Sequence, residues 1–356
     1  MKKTIIFISV VLIIVVGILY STYGEEFFSA LDEKKVYSIV NIKSTHLDTL
    51  DEYKFFDRGI ITYNNQKMKF INYDNSSIWE SENAVFSKKI FVTDNYIFRQ
   101  MENSTEVIDK NNQRYVVAEI PGDILNVSRE NDETYMVVKT DTGQNSLYIM
   151  NDNNEVVVDN KKFDEIITGV AIGDKSEGYS LITLNFEKGI PENTLYFNLL
   201  DDVELWNTTI ENELLVKTQI VNNNIIAIGD KNIYYYNTNG KLMWKNSIYN
   251  RISDIEIHKE SQKIYMLYDH DDSTELITYN FEGKIKEIIN TPAGMKNVEV
   301  IDNKIIVSNE NAIFLIHGSK LDKIFEDNQD SIKDYVLEGS TIKILFKDKL
   351  VSGIIK

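Results

Sequence analysis

The chain has 356 residues, 43% of them hydrophobic, and carries 55 Asp and Glu against 38 Lys and Arg, for a net charge of -17. It can bury a large core, but so acidic a balance excludes the basic footprint that nucleic-acid phosphates require and argues against simple adhesion to anionic lipid headgroups. With no cysteine there is no disulfide, no thiolate metal site, no cysteine nucleophile and no lipidated N-terminal cysteine.

Lys2 and Lys3 precede an uncharged apolar run from Thr4 to Tyr20. As a helix this run reaches roughly 25 Å at 1.5 Å per residue, and Ser21 to Gly24 extend it to the roughly 30 Å of a bilayer's hydrocarbon. The run predicts an uncleaved transmembrane anchor over 4–24. A cleaved signal peptide is the alternative, although the nearest small-residue site, Thr22-Tyr23-Gly24, matches an A-x-A pattern poorly. Lys2 and Lys3 on one flank and Glu25 and Glu26 on the other place residues 1–3 in the cytoplasm and everything after residue 24 outside, as a single-pass membrane protein. Residues 25–35, EEFFSALDEKK, set helix formers and acids ahead of lysines and predict a juxtamembrane stalk with Phe27, Phe28 and Leu31 on one apolar face.

From Val36 onward the pattern changes to short alternating strands broken by Asn, Asp and Gly, and no window offers a long amphipathic helix, so residues 36–356 are expected to form an all-β domain. Turns followed by an apolar or Trp-bearing strand recur at Asp74, Asp109, Asn151, Asp201, Asn237, Asn280 and His317. Their spacing of about 35 to 50 residues brackets the length of a four-stranded propeller blade. The clearest unit is the fifth, with strands expected at Leu214–Ile220, Asn224–Gly229, Ile233–Tyr236 and Lys241–Trp244. Its last hairpin turns at Asn239-Gly240, where Gly supplies a positive φ. The seventh unit repeats the plan from Val298 to Phe325. The longer interval before Asp201 contains Gly189 to Thr194, read as an extended hairpin loop. After His317 only three strands remain, within 334–355, and Val36 to Ile42 is the unassigned piece. It is expected to join the last blade as its outer strand and close the ring, which removes free edges. Eight blades result, with seven as the alternative. Trp79, Trp206 and Trp244 fall at equivalent outer-strand positions, where each ring is expected to fill the wedge between blades.

The fifth repeat, with Gly240 four residues before Trp244, resembles the outer hairpin of quinoprotein-type (PQQ-like) β-propellers. YDNSSIWES and LLDDVELWNT keep the Trp without the Gly, and NFEGKIKEII keeps Gly283 without the Trp. The anchor followed by such a propeller also resembles membrane-anchored propeller proteins of Gram-positive bacteria whose function is uncharacterised. The resemblance implies a propeller over about 36–356. Enzymes of that family that use pyrroloquinoline quinone carry a vicinal disulfide over the cofactor, which this chain cannot form, so no cofactor is expected. Non-enzymatic relatives resembling the outer-membrane assembly lipoproteins act as scaffolds, the closer analogy.

His46, His258, His270 and His317 are scattered without metal-ligand spacing, and a solvated or structural role is expected for each. There is no G-x-S-x-G, no G-x-x-x-x-G-K-[ST] and no G-x-G-x-x-G, so nucleophile-elbow, P-loop and dinucleotide chemistry lack their turns. Asp269 to Glu275, DHDDSTE, has the beginning of a calcium-loop alternation. Thr274 and Asn280, however, stand where an EF-hand needs Gly and a bidentate Glu, and a solvated hairpin is expected instead. The N-x-[ST] triplets at Asn75, Asn103, Asn126 and Asn207 are chance occurrences in an Asn-rich chain. No catalytic, cofactor or metal residue is assigned. The sequence therefore points to a non-catalytic, extracytoplasmic envelope protein that presents a propeller surface to protein partners or wall polymer. The second class is a carbohydrate-active enzyme or lectin at the propeller mouth. Clustered exposed Trp or Tyr beside two carboxylates roughly 5 to 10 Å apart on the axis would mark it.

Overall fold

The computed structural model describes residues 36–356, apart from 65, 83–86, 103, 118–119, 154 and 174–177. The cytoplasmic end, anchor and stalk expected over 1–35 lie outside these residues. Among the described residues no helix is long and apolar enough to cross a membrane.

These residues form eight four-stranded antiparallel sheets. Blade 1 spans 52–82, blade 2 89–117, blade 3 123–163, blade 4 166–211, blade 5 215–247, blade 6 251–291 and blade 7 297–326, while blade 8 combines 334–355 with Ile39–His46. Strands are lettered a to d from the axis outward; the a strands of neighbouring blades approach one another. The expected eight-bladed propeller is what forms.

Period-2 alternation explains why a four-stranded sheet must have neighbours. In strand b of blade 5 (Asn224–Gly229), Ile225 and Ala227 enter the core shared with blade 4, while Ile226 and Ile228 enter the core shared with blade 6. Both faces are apolar, so neither can be left to water. The buried residues fall into eight such clusters, each between consecutive blades, and the last joins Leu345 and Leu350 of blade 8 to Ile60 and Ile71 of blade 1. Each fully buried Ile or Leu contributes about 1.5 to 3 kcal/mol.

The ring closes by pairing its two ends. Ile39–His46 is strand d of blade 8, antiparallel to Lys349–Ile355, with Ile39 opposite Ile355 and His46 opposite Lys349. The strand begins three residues later than expected and runs four further, because Val36 is exposed and Tyr37 is held otherwise. The Tyr37 N–H donates to the Asp322 carboxylate at 2.9 Å, which also faces His317 Nε2 at 2.8 Å, and the Tyr37 ring meets the His317 ring edge-on. Burial pushes Asp322 up, but these donors and Lys320 outweigh it and hold the carboxyl below its usual range. His317 thus ends a strand (Ala312–His317), is half-buried and is held by contacts within the fold.

The c–d turns share one design. Asp74, Asp109, Asn151, Asn237 and Asn280 each accept backbone N–H groups two or four residues ahead. The residue four before each Trp has positive φ: Asn75, Asp202 and Gly240. Where Gly is missing from the repeat, Asn or Asp, the other residues that tolerate this conformation, replaces it. Each Trp then reaches the next blade's c–d turn, Trp79 Nε1 donating to Lys110 O, Trp206 to Thr238 O and Trp244 to Phe281 O, at 2.9 to 3.0 Å. A Cβ on Gly283 would stand 2.8 Å from the Trp244 ring, so that turn must carry Gly for the ring to dock. The three rings fill the wedges as expected, half-buried rather than fully buried. The long interval in blade 4 holds a hairpin loop at 186–191, three residues earlier than Gly189 to Thr194, since Glu192 already pairs with Asn185.

Candidate functional site

The up-and-down order of each blade gives the propeller two unlike ends. The a–b and c–d turns lie at one, called here the turn end. The b–c turns and the loops that carry the chain between blades lie at the other, the crossover end. Because Ser38 and Lys356 exchange backbone hydrogen bonds at 3.0 Å, where a c–d turn would otherwise be, the chain joins and leaves the ring at the turn end.

The turns of the turn end are built of Asn, Asp, Gly and Lys, of which Asn222-Asn223, Asp302-Asn303, Asn131-Asp132 and Thr238-Asn239-Gly240 are typical, while Val203, Leu242, Met243 and Ile285 are exposed on the outer strands beside the c–d turns. The crossover end of blades 3 to 6 differs. Leu125, Ile166, Phe186, Ile190, Leu214, Val216 and Tyr249 are exposed there, Val216 at 51% and Tyr249 at 90%.

The local cause is a set of matching bulges. Pairing of strands a and b shifts register between Ile124 and Asn126, Ile167 and Gly169, Leu215 and Lys217, and Ile252 and Asp254. One residue in each inner strand is therefore unpaired: Leu125, Thr168, Val216 and Ser253. Blades 1, 2, 7 and 8 have no such shift in their a–b pairs. A bulge bends its strand and re-aims a side chain: Leu125 and Val216 are exposed at theirs, whereas the Thr168 hydroxyl is buried. Two cavities open between the inner strands. One of about 240 Å³ is lined by Leu125, Ile167, Thr168, Val216, Lys217 and Glu130, and one of about 450 Å³ by Val216, Lys217, Arg251, Ile252, Asp254 and Ile255. A wider cleft of about 690 Å³ lies between blades 1 and 2, beside Glu52, Tyr63, Lys89 and Phe91.

The inner strands also place carboxylates along the axis. Burial raises Glu130 against the pull of the Ile172 N–H, Lys259 and Lys217. It raises Glu256, and Asp254 adds to the shift while Lys217 opposes it. Glu299 is pushed up to about 7 by burial and then by the charges of Asp334, Glu256 and Asp254, although it accepts a hydrogen bond from Tyr335. Asp334, exposed at the start of its strand, is raised by desolvation against the pull of the Tyr335 N–H and Lys54. Two lysines are engaged by backbone carbonyls of the next inner strand, Lys89 Nζ with Ile124 O at 2.9 Å and Lys217 Nζ with Ile255 O at 2.7 Å. Among the described residues no three His, Asp or Glu side chains converge as a metal site. DHDDSTE is a short b–c turn closed by His270 N to Ser273 O.

Sequence reading singled out none of these axial residues. Their signal was present: Glu256 in ISDIEIH and Glu299 in NVEVI are acids flanked by β-branched residues in the first strand of a repeat, where outward-facing polar positions are not expected. The residues singled out lie elsewhere, with all three Trp in seams between blades and away from the axis.

Solved structures agree on the fold. BamB from Moraxella catarrhalis is similar over 89% of this chain and 100% of its own, at 10% identity and a TM-score of 0.55. A eukaryotic initiation factor is similar over 84% of this chain and 83% of its own, at 10% identity and a TM-score of 0.54. No curated protein matches the sequence. A family of unknown function, DUF5711, is matched across residues 31–351, nearly the whole propeller, and the chain belongs to that family.

Proposed function

We propose that the protein is a non-catalytic scaffold of the bacterial cell envelope, held by a single-pass anchor over 4–24 with its N-terminus in the cytoplasm, that presents the crossover end of its propeller to protein partners. The observation that carries this reading is the set of exposed apolar side chains on the bulged inner strands of blades 3 to 5 (Leu125, Ile166 and Val216) and in the loops beside them, at the end opposite the one where the chain joins the ring. Large apolar side chains gathered on one surface mark interaction sites more often than chance exposure. A helical stalk of residues 25–35 reaches about 16 Å, less than the roughly 23 Å height of a seven-residue strand. Such a stalk keeps the turn end toward the bilayer and the crossover end away from it.

The absence of the nucleophile-elbow, P-loop and dinucleotide motifs from the sequence supports a role without catalysis. The carbohydrate reading wants exposed Trp or Tyr clustered beside two carboxylates on the axis; the three Trp sit between blades, and Tyr249 stands alone in the loop between blades 5 and 6. The test is photo-crosslinking in the native membrane from a benzoylphenylalanine placed at Val216 or Tyr249, with Asn239 at the turn end as control. Protein adducts from the first two and none from the third are expected. Recovery of no protein adduct, together with retention on purified wall glycan, would reverse the ranking.

A further inference from the structure

The outer strands carry bulges of their own. In blades 1, 3, 4, 5 and 6 the c–d pairing slips just after the turn and leaves Ile78, Val157, Leu205, Met243 and Lys286 unpaired. All five are exposed, Met243 at 54%, as follows where a bulge turns a side chain away from its sheet. Trp206 docks under the c–d turn of blade 5 and Trp244 under that of blade 6, so Leu205, Leu242, Met243 and Ile285 succeed one another along the rim of the turn end. Charge divides this rim. The turns leading to Ile78, Val157 and Leu205 carry Asp74, Asp152 with Glu155, and Asp201 with Asp202, whereas from Lys231 to Ser253 there are four cations and no acid. Lys110 faces Asp57 at 3.1 Å and Lys161 faces Asp202 at 2.7 Å. In blades 5 and 6, Glu282 is held by Lys284 at 2.7 Å and Glu287 accepts the Ser319 hydroxyl at 3.1 Å, and the exposed Lys241 and Lys286 form no ion pair among the described residues.

We propose that the turn-end rim of blades 5 and 6 seats on an anionic phospholipid surface, with Leu242, Met243 and Ile285 entering the boundary between headgroups and acyl chains and Lys241 and Lys286 facing lipid phosphates. Apolar side chains interspersed with lysines suit that boundary. The contact rests on the single-pass anchor of the proposed function and leaves the crossover end free for its partner. Ser38 and Lys356 mark the turn end as the place where the chain leaves the ring toward the apolar run Thr4 to Tyr20, and the intervening residues 21–37 span at most about 60 Å when fully extended. A net charge of -17 is repelled by anionic lipid, which confines the contact to this sector and tilts the ring onto it.

Because the chain has no cysteine, Met243→Cys takes a single nitrobenzoxadiazole label, read in the full-length protein in nanodiscs of phosphatidylcholine with or without phosphatidylglycerol. With phosphatidylglycerol, a long-lived fluorescence component that nitroxide-bearing lipid quenches is expected. Labels at Val157→Cys, the same bulge beside acids, and at Val216→Cys on the crossover end should show no quenching by lipid. Lys241→Gln with Lys286→Gln should lower the ratio of long-lived to short-lived amplitude about 25-fold, at roughly fivefold for each lysine beside an anionic surface. A long-lived component that persists undiminished in the double variant or without phosphatidylglycerol overturns the inference. So does one that nitroxide lipid fails to quench, which marks a protein contact instead. An aqueous Met243 label in protein that stays with the nanodisc overturns the seating and leaves the anchor and the scaffold reading intact. Full-length protein that does not enter nanodiscs overturns the anchor as well.

Discussion

The two ends of the propeller are made from the same repeat and put to opposite uses. At the turn end the turn-forming devices point inward, although Val203, Leu242, Met243 and Ile285 stay exposed on the outer strands beside them. Asx turns fold the c–d loops, positive-φ Asn, Asp or Gly sets their shape, and each Trp ring from one blade docks under the turn of the next. At the crossover end of blades 3 to 6 the regular a–b pairing is interrupted, and apolar side chains face outward. The contrast shows where this sequence spends regularity on stability and where it gives it up. Pairing lost at four consecutive bulges costs hydrogen bonds and leaves apolar area in water, and it persists beside a ring that is otherwise closed.

Removing closure tests the frame that both ends share. Deleting residues 349–356 takes away the strand that pairs with Ile39–His46 on one side and Thr341–Leu345 on the other. It should abolish cooperative unfolding in chemical denaturation, and a truncated protein that melts like the parent would show that the ring does not depend on its joined ends.

One substitution at each end then separates devices of similar weight. Trp244→Ala removes a ring stacked on Tyr235 at 5.4 Å and the hydrogen bond to Phe281 O. Because the ring is half-buried the loss should be about 2 to 4 kcal/mol, toward the lower side of a fully buried Trp. Glu213→Ala acts at the crossover end, in the loop between blades 4 and 5. Its buried carboxylate accepts the Asn232 N–H at 2.7 Å, the Asn232 side chain at 2.8 Å and the Tyr234 hydroxyl at 2.6 Å. Leaving those donors unpaired should cost about 2 to 4 kcal/mol, read by urea melts. If Glu213→Ala were silent, the crossover loops would contribute little to the fold, and the two ends would differ more than the structure implies.

Much of the frame was legible in the sequence. The recurrence of Asp or Asn turns set the blade length, Asn239-Gly240 fixed a hairpin, and the missing strand after His317 predicted closure by residues near Val36. These signals are local or periodic, which is why a single sequence carries them. The mouth was not legible. A bulge adds one residue without changing composition, so ILNV, ITGV, LVKT and ISDI read as ordinary strand starts. Whether Val216 faces a core or the channel depends on which neighbour its strand pairs with, and pairing is not written in the run itself. The axial acids fall between these cases: their apolar flanks were visible, but their placement on neighbouring inner strands required the ring.

Acid in the axis makes the comparison titratable. Glu299 has its folded pKa raised to about 7 by burial and by Asp334, Glu256 and Asp254, with the Tyr335 hydroxyl donating to it. A carboxyl whose folded pKa lies above its unfolded value destabilises once ionised. The cost is absent below about pH 4.3, grows as pH rises to about 7 and is complete above that. Glu299→Gln should therefore stabilise the protein by roughly 1 to 3 kcal/mol at pH 8 and change it little at pH 4.5. Denaturant midpoints of parent and variant that stay parallel across this window would mean that Glu299 is solvated and the axis wet.

The smallest effect on stability is the most telling about use. Val216 and Tyr249 are exposed in the free protein, so Val216→Asp and Tyr249→Ser remove no core contact and should shift unfolding by no more than about 0.5 kcal/mol. At the turn end, Gly283→Ala is also a change at a surface loop, yet its Cβ would meet the Trp244 ring at 2.8 Å and its φ of 78° disfavours any side chain. That substitution should cost about 1 to 3 kcal/mol. Two positions near the surface would then answer mutation differently, because Gly283 is packed against its own chain while Val216 and Tyr249 face solvent. Midpoints for Val216→Asp as low as those for Gly283→Ala would mean that Val216 already packs within the ring, and the apolar mouth would lose its claim as a docking surface.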